Sequence, residues 1–336
     1  MRTIITTLTV LTLLLTSCQG RRQTSEEVTE PSSATERIAL KQDAMLSVSD
    51  KETNFLFNED KDIEAADPNA YWLMNKMMQS MIHVKTAEDG LAWALAFNEN
   101  VKEYSKRLRK NINKEDAEEA AALSIAHLMN LYYEGSMAEI NTATYVNSIL
   151  AIYKTTNKYI SLMNRLYDES LTELIYREYC EWFDMNNAAN AILYSYTFGN
   201  ACYSSAPMDI NETFESWSAN RLKELNAEED ILCWGICEPY PSYNAGKVSY
   251  NKFAKLVKDS KASLVSRRKK ESIETYEYDF LLPMFDEYST ALEKWYKVRE
   301  EIASHLEDDS QKAYRKMTAT VASRLYEEFS NLMIMP

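Results

Sequence analysis

Four cysteines in the body of the chain, Cys180, Cys202, Cys233 and Cys237, are the residues whose spacing most constrains their chemistry. An even number suits two disulfides in an exported chain, and Cys180–Cys202 with Cys233–Cys237 is one of three connectivities. Cys233-Trp-Gly-Ile-Cys237 leaves three residues between the sulfurs, not the two of a thioredoxin-like redox pair. No histidine lies near enough to complete a zinc site. Of three histidines, His83 and His127 sit in apolar helical runs, while Glu301 and His305 lie four apart. A di-iron bundle needs two Glu-x-x-His elements, and none occurs. There is no Gly-x-Ser-x-Gly elbow and no phosphate-binding loop. The expectation is a chain without metal, cofactor or catalytic constellation.

Two features point to binding instead. The segment CWGICEPYPSY places Trp234, Tyr240 and Tyr243 in a proline-rich loop, and rigid aromatics on loops are common contact residues for proteins or sugars. Residues 247–270 hold nine cations against one acid, Asp259, a local charge of +8 within a chain of −14, so the remainder carries −22. Lys252, Lys255, Lys258 and Lys261 recur every three residues and wind slowly around one side of a helix, with Arg267 and Arg268 beyond them. That face either balances an acidic body or docks an anionic lipid or acidic partner.

The elements that must position these residues are helical. Six glycines in 336 residues, about 2% where roughly 7% is usual, argue against a protein of many tight turns. With 51 acids against 37 bases, a nucleic-acid partner is excluded as a general reading, since phosphate requires a basic face. Trp93, Phe97, Val101, Tyr104 and Leu108 step at helical spacing behind a Thr86 cap with Glu88 and Asp89 in the first turn. Comparable stripes run through Leu171, Ile175, Trp182, Ala189 and Ile192, from Phe285 through Trp295 to Leu306, and from Tyr314 to Leu332. Asp67-Pro68 is a start signal, and Pro283 should kink or start a helix. Glycine and proline gather between Gly199 and Gly246, the one extended irregular region. These patterns predict an all-α bundle or repeat of eight to ten long antiparallel helices. Its N-terminal helical domain spans 45–230, an irregular loop with cysteine and proline spans 231–247, and a C-terminal helical part spans 248–336.

The first 17 residues read as a signal peptide, with Arg2, an apolar run to Leu15 and small residues after it. Leu15-Thr16-Ser17-Cys18 resembles the bacterial lipobox. The resemblance implies that Cys18 becomes the lipidated first residue and anchors the chain to a membrane. Gln19 in place of an aspartate implies the outer membrane of a Gram-negative cell. Residues 18–44 then read as the lipidated cysteine and a flexible polar tether.

Trp182 is followed by Ala219-Asn220-Arg221-Leu222-Lys223-Glu224, and Trp295 by Ala322-Ser323-Arg324-Leu325-Tyr326-Glu327. The shared pattern, Trp then A-x-R-L-x-E, suggests two helical hairpins, each with its tryptophan inside and the arginine stem against it. Trp295-x-x-x-Arg299 with the later Thr320 and Arg324 resembles the helical-hairpin domain of bacterial lysozyme-inhibitor lipoproteins. That resemblance implies a non-catalytic envelope protein capturing a cationic hydrolase. A surface glycan- or nutrient-binding lipoprotein and an envelope enzyme without recognisable motif are the alternatives. A flat acidic surface favours capture of a hydrolase, a tryptophan-lined cleft favours glycan or nutrient binding, and converging carboxylates with perturbed pKa favour an enzyme.

Overall fold

The computed structural model describes residues 34–47, 68–81, 83–108, 137–200, 206–236, 248–270 and 273–334. Among them there are nine helices and no strand, an all-α bundle. In chain order they are α1 (Ala34–Leu46), α2 (Pro68–Met81), α3 (Ala87–Arg107), α4 (Met137–Arg165), α5 (Glu169–Asn200), α6 (Ala206–Trp234), α7 (Tyr250–Lys269), α8 (Thr275–Ser304) and α9 (Asp308–Ile334). None of the described helices is long and apolar enough to cross a membrane. Packing divides the chain into two units, 1–157 and 158–336, and the division falls within α4 rather than at the 231–247 loop.

In the first unit, α3 is the central element, with α1 and α2 packed on it. Thr86 caps α3 in a reciprocal box: its hydroxyl accepts from the Asp89 N–H at 3.2 Å, and the Asp89 carboxylate accepts from the Thr86 N–H at 2.8 Å. The stripe expected of α3 is buried: Trp93 and Phe97 stack at 6.1 Å, and Tyr153 meets both edge-on. Residues 34–44, expected to be tether, are instead helical. The helix runs on to bury Met45, and Arg37 and Lys41 pair with Glu88 and Asp89 in the first turn of α3.

In the second unit, α5 and α8 form the most extensive helix pair and run antiparallel, Arg177 meeting Glu301 while Glu181 meets Lys294. α6 and α9 close the bundle against them, and α7 lies on α8 and α9. Pro283 neither starts nor ends α8, which begins at Thr275. The glycine- and proline-rich stretch is interrupted by 29 residues of α6. Pro207 is tolerated in its first turn, where N–H groups lack helical partners, and Gly235 ends it at φ +62°, a left-handed conformation that favours glycine. The N–H groups of Gly235 and Ile236 donate back to the carbonyls of Ile231 and Asp230. Residues 237–247, with Cys237, Tyr240 and Tyr243, lie outside the described residues, as do Cys18 and Cys202.

Trp93 is almost wholly buried and donates from Nε1 to the Met77 carbonyl at 3.3 Å. Trp93→Ala is expected to cost about 3–5 kcal/mol, the usual penalty for a core aromatic, read by urea denaturation.

Candidate functional site

The interior of the second unit is ionic. Arg221 on α6, Arg299 on α8 and Arg324 on α9 are each buried to 3% exposure or less, and so are Glu178 on α5 and Glu224 and Glu228 on α6. Arg221 donates to Glu228 at 2.8 and 3.0 Å, to Glu178 at 3.0 and 3.1 Å, and from Nε to the Tyr159 hydroxyl at 2.9 Å. The Tyr159 hydroxyl donates onward to Glu178 at 2.6 Å, and Trp295 Nε1 donates to the same carboxylate at 2.6 Å. Arg299 reaches Glu178 at 3.2 Å, Glu228 at 2.8 Å and the Thr318 hydroxyl at 2.9 Å. Arg324 clamps Glu224 with two bonds, 2.5 and 2.9 Å, and donates its remaining nitrogen to Glu328. Nearly every lone pair and proton is used, which is the condition under which buried charge is tolerated.

Electrostatics follow from burial and pairing. Burial alone would raise the Glu228 carboxyl, but Arg221 and Arg299 together hold it down to about 2. Burial pushes the phenols of Tyr159 and Tyr314 up. Glu328 goes the other way: burial raises its carboxyl despite Arg324, because one guanidinium shared with Glu224 does not repay its lost hydration.

At Arg324 the network meets the surface. Ser216, Trp217 and Asn220 of α6 and Arg324, Glu327 and Glu328 of α9 line a groove of about 270 Å³, near the low end for small-molecule sites, roughly 300–1,000 Å³. A second, narrow slot of about 20 Å³, also lined by Trp217, reaches Trp182, Tyr288 and Phe329. Trp217, Arg324, Glu328 and Leu332 line both. Asn220 approaches Glu328 at 3.5 Å, so the floor carries a guanidinium, a carboxylate and an amide held in place from beneath.

The sequence-derived candidates fall in different places. Trp182 and Trp295 are buried, but the arginine pairing differs from expectation: Arg221 lies over the Tyr159 ring at 5.3 Å, and Arg299, not Arg324, over Trp295 at 4.9 Å. Trp234, expected in a loop, is the last residue of α6 and stands 64% exposed. On α7, Phe253, Val257 and Leu264 turn inward. Lys252, Lys255 and Lys258 are therefore exposed, Lys261 is half-buried and paired with Asp286, and Arg267 and Arg268 are half-buried. The expected disulfides are absent at the two described cysteines. Among the described residues, Cys180 in the middle of α5 and Cys233 in the last turn of α6 form no disulfide, and Cys202 and Cys237, their expected partners, lie outside those residues.

Comparison with protein families, with characterised proteins and with solved structures found no match. The chemistry of the site therefore rests on its own residues. Glu224 closes the A-x-R-L-x-E pattern, but Glu178, Glu228, Glu328 and Trp217 did not stand out in the sequence. Glu178 had one usable signal: it fills the seven-residue gap between Ile175 and Trp182 in an apolar stripe, a carboxylate at a core position.

Glu228→Gln leaves two buried guanidinium groups short of charge and is expected to cost about 3–5 kcal/mol at neutral pH. A carboxyl lowered in the folded state contributes stability that is complete above its ordinary value near 4.5 and lost as pH falls toward about 2. The gap between wild type and variant should therefore narrow across that window in urea denaturation. A gap independent of pH from 4.5 to 2.5 would contradict the assignment.

Proposed function

We propose that the chain is a lipid-anchored envelope binding protein, non-catalytic, that captures a small ligand in the groove between α6 and α9, as a glycan- or nutrient-binding lipoprotein would. The observation that carries this reading is the groove itself, with Trp217 as its wall and the Arg324–Glu328 pair, fixed from beneath by Glu224, as its floor. Recognition sites are mostly concave, with an aromatic or apolar wall and a few preorganised polar groups. Of the four network carboxylates only Glu328 reaches the groove lining, and Glu327, the other acid there, is exposed on the rim. That arrangement supports holding a ligand over acid–base chemistry, which calls for two convergent carboxylates with separated roles. The residues that resemble the lysozyme-inhibitor hairpin, Trp295, Arg299, Thr320 and Arg324, are all buried, so they bear on how the bundle is held and not on a surface for a hydrolase.

The mature chain is to be titrated with neutral oligosaccharides and small organic amines, following tryptophan fluorescence. A ligand that binds wild type should lose about tenfold or more in affinity with Trp217→Ala, equivalent to about 1.4 kcal/mol. Lysozyme activity should be unchanged by a tenfold molar excess of the protein. Inhibition of lysozyme without any response at Trp217 would favour hydrolase capture. The anchor is checked separately: a radiolabelled fatty acid should mark the wild type in cells and leave Cys18→Ala unlabelled.

A further inference from the structure

Resting on that reading of the groove, we propose that its ligand is a small organic cation, an alkyl or quaternary ammonium, seated between Trp217 and the Glu328 carboxylate. The buried network holds three guanidinium groups, Arg221, Arg299 and Arg324, against four carboxylates, Glu178, Glu224, Glu228 and Glu328. One negative charge is in excess, and the geometry says which carboxylate carries it. Glu178 and Glu228 each receive bonds from two arginines, and Glu224 receives the two-bond clamp of Arg324. Glu328 has only the third nitrogen of Arg324 and a long contact from Asn220. It is also the one network acid that faces the groove, its side chain 15% exposed.

The surroundings match that charge. Among the described residues, the groove lining holds a single cation, Arg324, already engaged by two carboxylates, against two anions, Glu327 and Glu328. Trp217 lines the same space, and an ammonium group gains from an aromatic face as well as from a carboxylate, the more so where water is thinned. Glu328 has the sparsest pairing of the four carboxylates, one Arg324 nitrogen and a long Asn220 contact, and a ligand cation supplies the opposite charge it lacks. A neutral sugar would leave that excess charge where it is. The tertiary fold, not the net charge of the chain, thus selects the ligand class.

The test uses the full mature chain, with butylammonium chloride, tetramethylammonium chloride and a neutral chitooligosaccharide as probes at matched ionic strength, read by titration calorimetry. Either ammonium salt should bind, and Glu328→Gln, which keeps shape and removes charge, should weaken it at least tenfold. Lys312→Gln on the exposed face of α9 should leave affinity unchanged, and thermal unfolding of Glu328→Gln verifies that the bundle persists. Should that variant unfold, Glu327→Gln on the rim takes its place, with a smaller loss expected. Equal affinity for wild type and the charge-removing variant overturns the proposal. Binding of the neutral oligosaccharide alone, lost with Trp217→Ala, overturns the cation while leaving the groove reading intact. Failure of all three probes overturns both.

Discussion

Seven charged side chains inside one helical unit impose the constraint on which the rest of that unit depends. An ion taken out of water costs several kcal/mol even after relaxation, and only near-complete pairing offsets it. The pairing here crosses four helices: Glu178 from α5, Arg221, Glu224 and Glu228 from α6, Arg299 from α8, and Arg324 and Glu328 from α9. Apolar ridges tolerate sliding by a turn, but this network does not. Any slip of α8 or α9 strands a guanidinium without its carboxylate, a penalty of about 3–5 kcal/mol. The network therefore specifies register more than it adds stability.

Aromatic rings surround this core and make it drier. Tyr159, Tyr179 and Trp182 meet within 5.0 to 6.0 Å, and Arg299 is sandwiched between Trp295 at 4.9 Å and Tyr314 at 4.7 Å. Two of these groups also join the network through polar ends, Tyr159 through its hydroxyl and Trp295 through Nε1. One side chain thus supplies apolar area and a donor, which is why tyrosine and tryptophan serve at such boundaries. A drier interior strengthens each ion pair and raises the cost of leaving one incomplete.

The groove is a consequence of where this arrangement runs out. Arg324 faces inward to Glu224 and outward to Glu328, so it transmits the rigidity of the core to the surface without a flexible loop. α6 brings Ser216, Trp217 and Asn220 to the same place at spacings of one, three and four residues, one face of a helix. A site built on helices that are locked by buried charge holds its polar groups in position before a ligand arrives, which lowers the ordering cost of binding.

Much of the fold was legible in local pattern. The scarcity of glycine, the 3.6-residue stripes and the Thr86 and Pro68 start signals depend on neighbours within a turn or two, and the helices follow them. Trp182, Trp295, Arg221, Arg299 and Arg324, which the sequence singled out, are all buried. What those arginines bind was not legible, because Glu178 stands 43 residues from Arg221 and Glu224 stands 100 from Arg324. A glutamate on a helix reads as a solvated residue until the opposite helix is known, so Glu178, Glu228 and Glu328 looked like all the others. The helix over 34–46 escaped for the same reason: its partners, Glu88 and Asp89, lie some fifty residues on. Sequence by itself determined where most of the helices run, since that is a matter of local periodicity. Only the tertiary structure decided which charges are buried together and where their surplus emerges, since that depends on which helix faces meet.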